Sequence, residues 1–253
     1  MIKQYSKNKN LIMPKAILFD TDNTLYEYHP ANKAAEEAAF IKANNLLGID
    51  RKTFFENYKK ARFEVKKNLS NTASGHSRLL YFQRLIELLG FRAQLLVALD
   101  LEQTFWRTFL ANAPLFPGVE NLLSYLRKAK IPIGIVTDLT SQIQLRKLTY
   151  FGLEDTFDAV VTSEEIGADK PDKRNFELLL SKLNLPLSSN FWMVGDDSYS
   201  DIFGAKQLGA ITFQKIHNKV ILGEGDQSPD YSFKNFKDLQ NFIENLVNNV
   251  SEI

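Results

Sequence analysis

The residues best able to do chemistry sit in one short run. Ile17-Leu18-Phe19-Asp20-Thr21-Asp22-Asn23-Thr24-Leu25 carries an apolar stretch straight into two aspartates one residue apart. In an extended chain, positions two apart point to the same side. The two carboxylates would therefore repel beside a buried strand, at a cost unless something compensates. A divalent cation coordinated by carboxylate oxygens is one answer. A turn in which Asp and Asn accept backbone N–H groups is the other, and this segment alone does not separate them. Three further apolar runs also end in polar groups. Val136 leads into Thr137 and Asp138. The loop after Ala159–Thr162 carries Gly167-Ala168-Asp169-Lys170-Pro171-Asp172. Val194 leads into Gly195-Asp196-Asp197-Ser198-Tyr199-Ser200-Asp201. Brought together, these groups suit phosphate chemistry on a divalent ion: carboxylates for the metal, Lys and Thr for phosphate oxygens.

Positioning them requires a particular scaffold. Five short apolar or β-rich runs, Ala16–Phe19, Ile131–Val136, Ala159–Thr162, Phe191–Val194 and Ala210–Phe213, read as strands buried on both faces, as in a parallel sheet. Helix-period segments alternate with them: Gly118–Lys130, Ser141–Phe151, Lys173–Leu183 and the shorter Ser200–Leu208. Strand alternating with helix predicts right-handed crossovers and an α/β doubly wound parallel sheet, whose strand C-terminal ends share one edge. The helix N-termini that follow those ends add anion-binding N–H groups. The interval from His29 to Pro114 breaks the pattern. It reads as helices near Ala31–Asn44, Lys52–Asn68, Ser77–Leu89 and Ala93–Ala113, punctuated by Gly48, Asn71–Gly75 and Gly90. A helical block inserted after the first strand lies over the acidic edge. The expected division is a core of residues 1–28 and 115–253 with a helical cap of residues 29–114. A final helix is expected over Asn235–Val247, and the first ten residues read as a loose tail.

Composition narrows the classes. The 253 residues are 44% apolar and 12% aromatic, enough for a real core. Lys plus Arg total 31 against 30 Asp plus Glu, so a net charge of +1 gives no bulk reason to expect nucleic acid or an anionic membrane as partner. With no cysteine, thiolate nucleophiles, thiolate zinc sites and disulfides drop out together. No apolar run reaches the roughly 18 residues that span a bilayer, and the polar start MIKQYSKNKN lacks a signal-peptide core. The expected location is cytoplasmic, and the expected state monomer or homodimer.

Four ordered motifs carry a resemblance. The sequence resembles the haloacid dehalogenase superfamily, in its phosphatase branch with a helical cap after the first strand. Asp20, Asp22 and Thr24 match the D-x-D-x-T motif, Thr137 the hydroxyl motif, Lys170 the lysine motif in Asp-Lys-Pro, and Gly195, Asp196 and Asp201 the G-D-x4-D motif. Phe116-Pro117-Gly118-Val119 and Gly204-Ala205 with Gly209 are similar as well. The likeness covers about residues 15–28 and 114–216, whereas the cap matches in placement and helical character. It implies a Rossmann-like core and a Mg²⁺-dependent phosphatase of small phosphate monoesters, nucleoside monophosphates or sugar phosphates. Among known members, those acting on nucleotides and on acyl-sugar phosphates look most alike. The resemblance makes Asp20 the nucleophile that becomes an aspartyl-phosphate and Asp22 the general acid and then base. Thr137, Asp138 and Lys170 would bind the phosphate. Asp20, Asp22 through its backbone carbonyl, Asp196 and Asp201 would serve the metal. One departure stands at Asp138, where close relatives often carry Asn; there the backbone N–H can still serve. Asp22 favours phosphate transfer over dehalogenation, since a halide leaves without needing a proton. A phosphomutase of the same family and a non-catalytic phosphate-binding module are the alternatives, and a small phosphorylated metabolite is the expected partner. Among the basic residues of the cap, Arg62, Lys66, Lys67, Arg78 and Arg84, Arg78 is the one expected to reach the substrate.

Overall fold

The computed structural model describes residues 1–6 and 11–251. Its elements in chain order begin with β1 (Lys3–Gln4) and β2 (Ala16–Phe19), followed by four helices, α1 (Tyr28–Leu47), α2 (Arg51–Asn68), α3 (Arg78–Leu88) and α4 (Leu95–Ala111). The chain then runs through α5 (Val119–Lys128), β3 (Ile133–Thr137), α6 (Ser141–Tyr150), β4 (Ala159–Thr162), α7 (Ser163–Ile166) and α8 (Lys173–Lys182). It closes with β5 (Phe191–Gly195), α9 (Gly204–Lys206), β6 (Ile211–Lys215), β7 (Tyr231–Phe233) and α10 (Phe236–Ser251).

The seven strands form one sheet in the order β1-β7-β6-β5-β2-β3-β4. All neighbouring pairs are parallel except β1 with β7. From β2 the chain builds outwards through β3 to β4, then returns across to β5 and β6. That reversal places the switch point beside β2, where such sheets bind ligands. The side chains of β2 explain its central place. Ile17 and Phe19 enter one core cluster and Ala16 and Leu18 the other, and all four are fully buried. A strand apolar on both faces must be covered on both.

The helical block between β2 and α5 packs by size complementarity. Ala31, Ala35, Ala39 and Ala43 lie four apart on α1 and are all fully buried. This flat stripe lets α4 approach closely, while Leu101, Phe105 and Phe109 of α4 bring the bulk to the same core. Phe54, Tyr58 and Phe82 continue the aromatic packing across α2 and α3, with centroids 5.7 and 5.4 Å apart. No helix among the described residues is long and apolar enough to cross a membrane.

Two expectations are corrected. The amino terminus is not a loose tail throughout: Lys3 and Gln4 pair with Ser232 and Tyr231. Residues 7–10 of the expected tail lie outside the described residues. The expected helix over Ser200–Leu208 instead begins as a π-helical turn at Ser198–Phe203 before α9. Asp197 caps that turn, accepting from the N–H groups of Tyr199 and Ser200.

Candidate active site

The chain leaves β2 through a tight turn. Asn23 sits at φ 62°, a left-handed conformation that Asn tolerates, and its side chain accepts the N–H of Tyr28 at 3.0 Å at the start of α1. The backbone N–H of Asp20 donates to Val194 of β5 at 3.0 Å, fixing Asp20 over the switch point. The strand ends therefore meet as the sequence predicts. Asp20, Asp22, Thr137, Asp138, Lys170, Asp196 and Asp201 all line one cavity of about 480 Å³.

Asp20, Asp196 and Asp201 each offer a carboxylate oxygen, and these oxygens lie within 4.8 Å of one another. Lys170 supplies the positive charge set among them. Its Nζ donates to Asp20 Oδ1 and Asp201 Oδ1 at 2.7 Å each, and to the Val136 carbonyl at 3.2 Å. One ammonium does not balance three crowded carboxylates, two of them buried and that of Asp196 half-buried. Burial, then the charges of Asp20 and Asp201, push Asp196 up to about 9. Burial, only partly countered by Lys170, pushes Asp201 up to about 8. Burial likewise raises Asp20 against the pull of Lys170. An all-oxygen donor set that resists ionisation fits a hard divalent cation. Gly195 is required at its position, because a Cβ there would stand 2.3 Å from Asp201 Oδ2.

Asp22 stands apart from that cluster. Its carboxylate accepts Lys147 Nζ at 2.8 and 3.0 Å and also the hydroxyl of Tyr26. Burial works to raise its pKa, but Lys147 and Tyr26 outweigh burial and hold it below the usual carboxylate value. Thr137 Oγ1 shares a hydrogen bond with Thr21 Oγ1 at 2.8 Å and accepts Gln144 Nε2 at 2.9 Å. The Asp138 side chain is turned to the chain itself and accepts the backbone N–H of Lys170 at 2.9 Å, anchoring the lysine loop. Burial raises that carboxyl to about 6.

Sequence reasoning missed Lys147. It lies on α6, 1% exposed, with its neighbours Ile143, Gln144 and Leu148 buried as well. Two polar residues within the three-to-four spacing of a helix's buried stripe were the readable signal, because a lysine there must have a partner. Of the cap bases, Arg78, Arg62 and Lys66 line the cavity. Arg84 is spent on Glu64 and Glu87, and Lys67 is exposed.

These features define a class. A sequence model of the haloacid dehalogenase-like hydrolase family matches residues 14–209. The ribulose-1,5-bisphosphate 5-phosphatase of Halopiger xanaduensis is 41% identical over 201 residues, covering 79% of this chain and 84% of that protein. A glyceraldehyde 3-phosphate phosphatase of Methanocaldococcus jannaschii is 28% identical over 236 residues, 92% of this chain and 99% of that one. The crystal structure of a phosphatase of this superfamily from Thermococcus onnurineus superposes with a TM-score of 0.69 at 23% identity, covering 90% of this chain and 97% of that one. The chain belongs to the haloacid dehalogenase-like hydrolases. Within them it is an enzyme of the phosphatase kind, built as a largely parallel α/β sheet.

Proposed function

We propose that this chain is a Mg²⁺-dependent phosphatase of small sugar phosphates, acting through an aspartyl-phosphate on Asp20. The observation that carries the reading is the placement of Asp20, joined to Lys170 at 2.7 Å and grouped with Asp196 and Asp201, with Asp22 held just outside the group. Relatives matched over most of their length act on ribulose bisphosphate and glyceraldehyde phosphate, which favours sugar phosphates over nucleotides.

The first step forms a bond from an Asp20 carboxylate oxygen to phosphorus and breaks the phosphorus–oxygen bond of the ester. Asp22 gives its proton to the departing sugar oxygen. Lys147 and Tyr26 favour the ionised form of Asp22 at rest; the negative charge of an entering phosphate raises that carboxyl, which takes up from solvent the proton it then gives to the leaving oxygen. In the second step water attacks the same phosphorus, Asp22 takes its proton, and Asp20 is released with inorganic phosphate. Lys170 and Thr137 hold the transferring oxygens. Asp20, Asp196 and Asp201 would hold Mg²⁺, and its charge would offset the repulsion between carboxylate and phosphate dianion. The four-helix block acts as the cap that keeps bulk water out.

Free-phosphate release from a panel of sugar phosphates tests this reading. Activity is expected to vanish with chelator and return with Mg²⁺, and full activity in metal-free buffer would reject it. Asp22→Asn is expected to slow turnover by about 10²–10⁴-fold on alkyl esters. The loss on p-nitrophenyl phosphate should be much smaller, since that leaving group needs no proton. Equal slowing of both esters would remove the acid role.

A further inference from the structure

We propose that the cap side of the cavity is a second anion subsite, in which Arg62 and Lys66 take a phosphate at the far end of a doubly phosphorylated small sugar. The inference rests on the phosphatase reading of the opposite wall. Charge in this one cavity is divided by origin. Its six carboxylates all come from the α/β sheet side. The helices opposite contribute Arg62, Lys66, Arg78, His76 and the rings of Tyr28 and Trp106, and no acid.

The three cap cations lack counter-charges. Arg78 is 8% exposed and makes no ion pair among the described residues. It donates to neutral acceptors, the His76 carbonyl at 2.6 Å and the Tyr28 hydroxyl, and lies 5.2–5.4 Å from the ring centres of Tyr81, Phe105 and Trp106. Asp22 acts on it at longer range, but that carboxylate is engaged by Lys147. Arg62 and Lys66 stand one turn apart on α2, a spacing at which like charges repel. Burial and then the fields of Arg62 and Arg78 lower the pKa of Lys66. Asp169 pulls the other way but is bound to His76 at 2.9 Å. Glu64, between them in sequence, is taken by Arg84.

A solvated helix face would explain Arg62, which is exposed, but not a buried Arg78 whose field adds to Lys66 in the same cavity. The division of labour follows from the bonds already made. Arg78 has donated its guanidinium to the protein and supplies field, whereas Arg62 and Lys66 keep donors for a ligand. Guanidinium and ammonium groups recognise phosphate by charge-assisted hydrogen bonds. A sugar monophosphate offers these cap cations no second anion, whereas a second phosphate meets them with opposite charge.

The test is isothermal titration of the full chain in Mg²⁺ with pentane-1,5-bisphosphonate and with pentylphosphonate, whose carbon–phosphorus bonds resist hydrolysis. The bisphosphonate should bind about tenfold tighter or more, as expected for one further pair of charged hydrogen bonds. Arg62→Gln with Lys66→Gln should bring the two affinities within about twofold, with the same collapse in the kcat/KM ratio of a pentose bisphosphate over its monophosphate, carried by KM. Neither side chain holds a described ion pair, and the hydrogen bond between Arg62 and Tyr81 is the described contact that the double variant gives up; an unchanged thermal melt beside the titration shows that the fold survives its loss. Equal affinities in the unaltered chain, or a preference that survives the double substitution, would overturn the subsite. Bisphosphonate preference without ester hydrolysis would sink the phosphatase reading and leave the subsite standing; hydrolysis without preference would do the reverse.

Discussion

Asp20→Asn is expected to lower kcat by about 10⁴-fold or more, the scale seen when a covalent nucleophile is removed, while the fold stays as stable or gains. The two outcomes come from one feature. Asp20 is buried, and burial raises its pKa more than Lys170 lowers it. Three carboxylates crowd one ammonium there, so the isosteric amide removes a repulsion and keeps the shape. Lys170 retains Asp201 at 2.7 Å, so its own charge stays paired. The melting temperature in metal-free buffer should therefore equal or exceed that of the unaltered chain, the usual sign of a site that costs stability to hold its function. Acid quenching during turnover of a ³²P-labelled ester should leave label on the unaltered protein and none on the variant. Label persisting on the variant, or turnover within tenfold, would remove Asp20 as the covalent site. A drop in melting temperature matching the loss of activity would make its role structural.

How much of this was readable beforehand follows from what each residue's neighbours are. The strands carrying the motifs are apolar on both faces because helices cover both, so their sequence runs are unmistakable, and Ala16–Phe19 and Ala159–Thr162 match the observed bounds. Their C-terminal polar residues meet because a parallel sheet leaves them no alternative. β1 and β7 were not seen. They are two and three residues long, β1 at the sheet edge and β7 next to it, and a strand of that length has too few positions for a period to show. Lys147 was missed for a different reason. A basic residue on a predicted amphipathic helix reads as solvent-facing, and its partner Asp22 lies 125 positions away. Asp138 shows the same limit from the other side. Its type marked a departure from its relatives, and only the fold shows the carboxylate turned to the Lys170 backbone. Motifs record which groups meet; the orientation of each belongs to the packing around it.

Lys170→Met should damage stability and catalysis together, and Mg²⁺ should separate the two. The Lys170 side chain is 2% exposed and bonds both Asp20 and Asp201. Its removal leaves buried carboxylates without their cation, a change that costs about 3–5 kcal/mol. For a chain of this size that is a fall of about 6–20 °C in melting temperature. The loss depends on pH with a definite sign. With Lys170 present and no metal, burial and mutual repulsion already lift Asp196 to about 9 and Asp201 to about 8, against an ordinary 3.8. A carboxyl with a raised folded pKa binds its proton more tightly in the folded state. The stability it contributes is complete below the ordinary value and is lost as pH rises through the folded one. Without the lysine these groups rise further, so the variant's deficit in chelator should be nearly flat from pH 5 to about pH 7 and grow as pH rises through about 8 and 9, where the unaltered chain's carboxyls ionise and the variant's stay protonated. Mg²⁺ at pH 9 should restore much of the lost stability, because a cation again stands among the oxygens. Turnover should stay low, because the ion does not replace the N–H donors that Lys170 offers a transferring phosphoryl group. Thermal melts at pH 6 and pH 9, with and without Mg²⁺, beside initial rates, decide it. Recovery of both stability and rate with Mg²⁺ would confine Lys170 to charge balance. A deficit insensitive to pH would mean that the carboxylates are not what the lysine holds in check.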